Sequence, residues 1–198
     1  MIYGIVLAAA TAAPCAAAGT QMDLDACWAA RAQQADSHLR VTTARVAYEL
    51  RAVGVGTKPL AGVQAAWVAA RNATCAFEAS LYAGGSIAPM IVSECADRMT
   101  RARDERLQAM LEALSTNGHT ATPPEPVSRA ASAELDRVYG LFCGRITPAQ
   151  RAALTSAQRA WLAYREKACS IEGGACLSEL DRGRVADLED GWIGEQFW

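Results

Sequence analysis

The side chains that could do hydrolytic chemistry in this chain are acidic. A glycosidase needs two carboxylates facing each other across a cleft, and Glu78, Glu94, Asp97, Asp104 and Glu105 are the candidates. Most of them share a stretch with Arg98, Arg101, Arg103 and Arg106. Acids and bases mixed three and four apart make local ion pairs on a solvated helix face rather than a catalytic pair. Ser86, within Gly84-Gly85-Ser86-Ile87, lacks the strand-turn-helix setting of a nucleophilic serine, and neither His38 nor His119 is tied to it by any pattern. There is no Cys-x-x-Cys pair to suggest zinc. The residues predict neither an enzyme nor a cofactor or metal site.

What does repeat is a stripe. Gln64, Trp67, Arg71 and Cys75 recur at the same spacing as Gln158, Trp161, Arg165 and Cys169. At about 100° per residue these offsets bring the four side chains within roughly 80° of one another on an α-helix. Beyond the stripe the first copy continues through Gly84, Gly85 and Ser86 to Cys95, Arg101, Arg103 and Leu107, and the second through Gly173 and Gly174 to Cys176, Arg182, Arg184 and Leu188. The second copy has lost most of the connecting segment but keeps the far-side spacing. A helix, a Gly-Gly turn and a second helix, built twice, is the implied unit.

This pattern, with the upstream Met22, Asp23 and Cys27 and the step from Asp36 to Leu39, resembles the LprI-like family of bacterial envelope proteins, named for a lysozyme inhibitor. The resemblance covers roughly residues 21–112 and, in shortened form, 130–190. It departs from the family pattern at Ala70, where an aromatic commonly precedes the Arg and the second copy has Tyr164, and at Arg40, where Asn is usual. It implies an exported binding protein acting on a peptidoglycan hydrolase.

The 198 residues suffice for one or two ordinary cores. With 19 basic against 21 acidic residues, no basic excess points to nucleic acid. Residues 1–18 read as a secretory leader, apolar from Ile2 to Ala13 and ending in Ala16-Ala17-Ala18, with cleavage expected after Ala18. Export to the periplasm or beyond follows. Lipidation at Cys15 is disfavoured by Pro14 immediately before it, and no later apolar run is long enough to cross a bilayer. Loss of Cys15 leaves six cysteines, an even set that in an exported chain argues for disulfides. If each Gly-Gly turn folds its helix pair back, Cys75 meets Cys95 and Cys169 meets Cys176, leaving Cys27 for Cys143 as a tie between the copies.

The expected architecture is all-α: two tandem helical hairpin units, about six helices, stapled by disulfides. Residues 19–117 form the first repeat, 118–128 with Pro123, Pro124 and Pro126 a linker, and 129–198 the shortened second repeat ending in an aromatic tail, Gly191 to Trp198. Pro59, Pro89 and Pro148 are placed to open helices, the last behind a capping Thr147.

Two features remain to be assigned. Arg71 and Arg165 share a stripe with Trp67 and Trp161, so each lies partly inward and needs an anion. An internal clamp onto Asp36 or Asp136 of the preceding helix suits a feature kept in both copies better than partner recognition does. The Gly84, Gly85, Ser86, Ile87 loop is complete in one copy only and joins two cross-linked helices. A loop so held can enter another protein's cleft without an ordering cost at binding. The expected partner is a lysozyme-type glycan hydrolase, blocked without a covalent step. The alternatives are an immunity protein against a secreted cell-wall toxin and an envelope interaction module that inhibits nothing.

Overall fold

The computed structural model describes residues 15, 18–117 and 125–189. Most of the expected leader, most of the Pro-rich linker and the aromatic tail from Gly191 to Trp198 lie outside the described residues. Among the described residues six helices follow in order: α1 (Gln21–Ala52), α2 (Lys58–Ser80), α3 (Ala88–Asn117), α4 (Arg129–Arg145), α5 (Pro148–Glu172) and α6 (Cys176–Glu189). No strand occurs among the described residues.

The helix starts follow local chemistry. The Thr20 hydroxyl accepts from the Asp23 N–H to cap α1. Thr147 and Gln150 form a reciprocal capping box at α5, with Pro148 in the first turn, where its missing N–H is not needed. Pro59 plays the same part in α2. The second copy's turn is shorter because Gly173 and Gly174 both take positive φ (65° and 54°), a region open to glycine at little cost. The described end of the linker is fastened there. The Glu125 N–H donates to the Gly174 carbonyl (2.7 Å) and the Ser128 N–H to Ser178 Oγ (2.8 Å).

The two stripe helices, α2 and α5, pack along each other at the centre. α3 lies on α2 and carries α1 outside it; α6 lies on α5 and carries α4. The copies therefore do not stand apart on a linker. Leu39, Val46, Trp67, Phe77, Phe142, Leu154, Trp161 and Leu188, drawn from both copies, belong to one continuous buried core. Such burial, at about 25 cal/mol per Å² of apolar surface, outweighs any single polar contact below.

Disulfides join Cys75 to Cys95 and Cys169 to Cys176, so each Gly-Gly turn does fold its helix pair back. The third bridge corrects the expectation. Cys27 is bonded to Cys15, not to Cys143, and Cys143 is free on α4. Cys27 sits in the opening turns of α1, within reach of the chain that has just entered the helix, whereas Cys143 faces the core beside its neighbours on α4. Cleavage after Ala18 would remove Cys15 and this bridge with it. Three disulfides fit a protein that folds outside the reducing cytoplasm. The mature protein is expected to retain Cys15 and to show one reactive thiol per denatured chain, lost in Cys143→Ala. Intact-mass measurement after alkylation without reductant checks this; three labelled thiols would mean that Cys15 is present but unbridged, and two that Cys15 has been removed with the leader.

Candidate functional site

The repeated stripe is read rung by rung by the next helix. Arg103 Nε of α3 donates to Gln64 Oε1 (2.9 Å), Arg71 Nη1 donates to Thr100 Oγ1 (3.0 Å), and Cys75 is bonded to Cys95. In the second copy Arg184 Nε of α6 donates to Gln158 Oε1 (3.3 Å), Arg165 Nη1 donates to Asp181 Oδ1 (2.5 Å), and Cys169 is bonded to Cys176. Each stripe arginine also lies over the tryptophan one turn before it, at 4.8 Å for Arg71 over Trp67 and 5.3 Å for Arg165 over Trp161. Both indoles are buried.

The first clamp closes on Asp36 of α1, whose Oδ1 accepts from Arg71 Nη1 at 2.6 Å. The second does not close on Asp136. That carboxylate is exposed on α4, one residue past buried Leu135 and therefore turned away from α5. Its place is taken by Asp181 of α6, wholly buried. The exchange is reciprocal. Asp36 stands three residues before Leu39 as Ser132 stands three before Leu135, and Thr100 stands five after Cys95 as Asp181 stands five after Cys176. Ser132 Oγ donates to Asp181 Oδ2 (3.2 Å). The carboxylate has thus moved from the outer helix to the inner one, and the hydroxyl left on the outer helix hydrogen-bonds that carboxylate rather than the arginine.

Sequence reasoning used Arg103 and Arg184 only to mark the repeat. Both are almost wholly buried, at 2% and 1% exposed, and both bridge the copies. Arg103 Nη1 crosses to α5, donating to Tyr164 Oη (3.1 Å) and Glu172 Oε1 (3.0 Å). Arg184 Nη1 crosses to α2, donating to Thr74 Oγ1 (3.2 Å). Their constant distance from the preceding cysteine was the signal that could have found them. Above them two ion pairs link α3 to α6: Arg98 Nη1 with Asp187 Oδ1 (2.8 Å) and Arg106 Nη1 with Glu179 Oε2 (3.4 Å). Arg106 Nε also pairs with Glu172. Basic residues on α3 thus face acidic residues on α6. Between them lies a cavity of about 220 Å³ lined by Trp67, Trp161, Arg103, Arg184 and Ala70 among others.

Two of the acids considered for hydrolysis, Asp97 and Glu78, are held in ion pairs between or along helices. Asp97 accepts from Arg31 Nη2 (3.2 Å) and Arg101 Nε (2.8 Å). Glu78, wholly buried, accepts from Arg98 Nη2 (2.7 Å). Burial pushes the Glu78 carboxyl up to about 7; Arg98 opposes the shift and Asp187 and Glu94 add to it. No cluster of three or more His, Cys, Asp or Glu side chains able to hold a metal occurs among the described residues.

The Gly84 to Ile87 loop is separate from the clamps. Gly84, with φ 86°, and Gly85 and Ser86 are exposed, whereas Ile87 is half-buried against the start of α3 rather than presented to solvent. A side chain at residue 85 would bring its Cβ to 3.2 Å from the Tyr82 carbonyl, which fixes the tight turn. From the other copy Gln150 Nε2 donates to the Ser80 carbonyl (3.2 Å) at the base of the loop.

A duplicated all-α scaffold, cross-linked within each copy and closed between copies by buried arginines, is the class these features define. The chain belongs to the family of the lysozyme inhibitor LprI, whose model matches residues 12–107 and 126–188, Cys15 included. The crystal structure of an uncharacterized protein from Burkholderia thailandensis has the same fold, with a TM-score of 0.68 at 18% identity over 86% of each chain. No curated protein matches the chain significantly.

Two outcomes are expected in urea unfolding. Asp181→Ala, which strands Arg165, should cost about 3–5 kcal/mol, Asp36→Ala about 1–2 kcal/mol because that carboxylate is partly exposed, and Asp136→Ala no more than about 0.5 kcal/mol. The folded chain binds the Glu78 proton more tightly than the unfolded chain does. Ionising Glu78 therefore weakens the fold, and stability should fall by on the order of 3 kcal/mol as pH rises from about 4.5 to about 7. That slope should vanish in Glu78→Gln.

Proposed function

We propose that this protein is a non-catalytic inhibitor of a lysozyme-type peptidoglycan hydrolase, exported to the periplasm or beyond, which blocks the enzyme's cleft with the Gly84, Gly85, Ser86, Ile87 loop. The observation that carries the reading is the way this loop is held. Its two helices are joined just behind it by Cys75–Cys95, and α5 of the other copy braces its base through Gln150. Three of its four residues are exposed. A protruding segment whose conformation is already set during folding loses little entropy on entering a cleft. Glycines let the backbone approach the walls of that cleft closely. The Ser86 hydroxyl can exchange hydrogen bonds with sugar-binding groups there, since it both donates and accepts. Membership of the LprI family supports a hydrolase as the partner.

The second copy lacks the segment, with only Gly173, Gly174 and Ala175 between Glu172 and Cys176. On this reading the second copy supports the first and does not bind. Two other functions make different demands. An immunity protein would bind one secreted cell-wall toxin and ignore unrelated hydrolases, and an interaction module would bind without slowing any enzyme.

The purified mature chain should slow turbidity loss of cell walls by one or more hydrolases from a panel and co-elute with the enzyme it slows. Ser86→Trp, at an exposed position, should weaken inhibition at least tenfold without moving the melting temperature. Unchanged inhibition by Ser86→Trp and by a Gly84→Val, Gly85→Val pair that still folds would exclude the loop. A panel that is neither bound nor slowed would exclude the hydrolase reading.

A further inference from the structure

Among the described residues Arg184 is the most deeply buried cation, and its hydrogen bonds go to neutral groups, Gln158 Oε1 and Thr74 Oγ1. Arg103, at the matching position, is answered by the carboxylate of Glu172 and the phenol of Tyr164. The difference has a simple origin. Tyr164 corresponds to Ala70 in the first copy, so no phenol reaches Arg184. Glu172 corresponds to Glu78, but that carboxylate is hydrogen-bonded to Arg98, as is Asp187. A buried guanidinium left with neutral partners is costly and is stabilised by any anion that reaches it.

Space is present where the missing tyrosine would have been. Ala70 and Arg184 line the same 220 Å³ cavity as Trp67, Trp161 and Arg103. Nη2 of Arg184 and Nη2 of Arg103 are both buried without a hydrogen-bond partner. The cavity opens between α3 and α6 beside Ala102 and Gly183, both exposed and too small to close it. We propose that this cavity is a binding site for a small organic monocarboxylate, its oxygens accepting from Arg184 and Arg103 and its apolar part lying against Trp67 and Trp161.

The chemistry selects a single negative charge. Arg98, Arg103 and Arg106 hold carboxylates in direct contact, whereas Asp187 and Glu78 act on Arg184 only through space and leave its Nη2 without a hydrogen-bond partner. Asp187 and Glu179, which also line the cavity, repel a dianion such as phosphate. The indoles and Met99 and Leu180 suit a flat or short apolar group. The site is distinct from the Gly84 to Ile87 loop, and its existence does not depend on hydrolase inhibition.

The test uses the full mature chain with sodium benzoate and sodium acetate against sodium chloride and sodium phosphate at equal ionic strength. Benzoate should shift the Arg184 and Arg103 Nε–Hε NMR signals saturably and raise the melting temperature, acetate should do so more weakly, and phosphate and chloride should not. Ala70→Tyr, which restores the second copy's arrangement, and Arg184→Gln should each reduce benzoate affinity at least tenfold. Gly183→Leu, whose added Cβ meets nothing within 4 Å, should do the same by covering the mouth, and it decides the matter if a core variant fails to fold. Ser86→Trp should bind benzoate as the parent does. Absence of a saturable shift with either carboxylate, tighter binding of phosphate, or undiminished binding in Gly183→Leu would each overturn the proposal.

Discussion

A guanidinium laid on a buried indole has to find an anion or a hydroxyl nearby, and most of this molecule is arranged to meet that demand twice. Arg71 and Arg165 sit on the two helices at the centre of the fold, so their partners must come from helices packed outside them. In the first copy the charge comes from α1 and the hydroxyl from α3; in the second the charge comes from α6, and a hydroxyl of α4 holds that carboxylate. The need is electrostatic and local, and either flanking helix can satisfy it. That freedom is why a duplicated scaffold could keep the arginine unchanged while its aspartate moved.

The join between copies follows a related logic. Two unmatched hydrophobic faces could slide along each other, since apolar burial is non-directional. Arg103 and Arg184 remove that freedom. Each holds the glutamine of its own copy with Nε and a group of the other copy with Nη1, so register within a copy and register between copies are set by the same side chain. The acid on α6 and the base on α3 add direction to this contact, and they leave a cavity between them where the sequences of the copies differ most in bulk, Ala70 against Tyr164. Duplication created two equivalent interiors; divergence at one residue made them chemically unequal.

The same divergence separates the shared interior from what only one copy carries outside. Features kept in both copies, the tryptophan, the arginine clamp and the cysteine bridge, are all inside and hold the fold. The long turn, present once, lies outside with its glycines and Ser86 exposed. The Cys75–Cys95 bridge joins its two helices and Gln150 from the other copy holds its base at Ser80.

Helical content, the starts of α2, α3 and α5, the duplication, the Cys75–Cys95 and Cys169–Cys176 bridges and the Arg71–Asp36 clamp were all legible in the chain by itself. They depend on periodicity of about 3.6 residues, on turn length and on residues that share a hairpin, all of which are local quantities. Packing between elements decided the rest. That Cys27 takes Cys15 and leaves Cys143 free, that Asp181 replaces Asp136, and that α2 and α5 merge the copies into one core depend on which helix faces lie opposite one another in space. Arg184 shows the division most plainly. Its repeat position can be read from spacing, but its lack of a hydrogen-bonded acid follows only from the three-dimensional fact that Glu78 and Asp187 are hydrogen-bonded to Arg98.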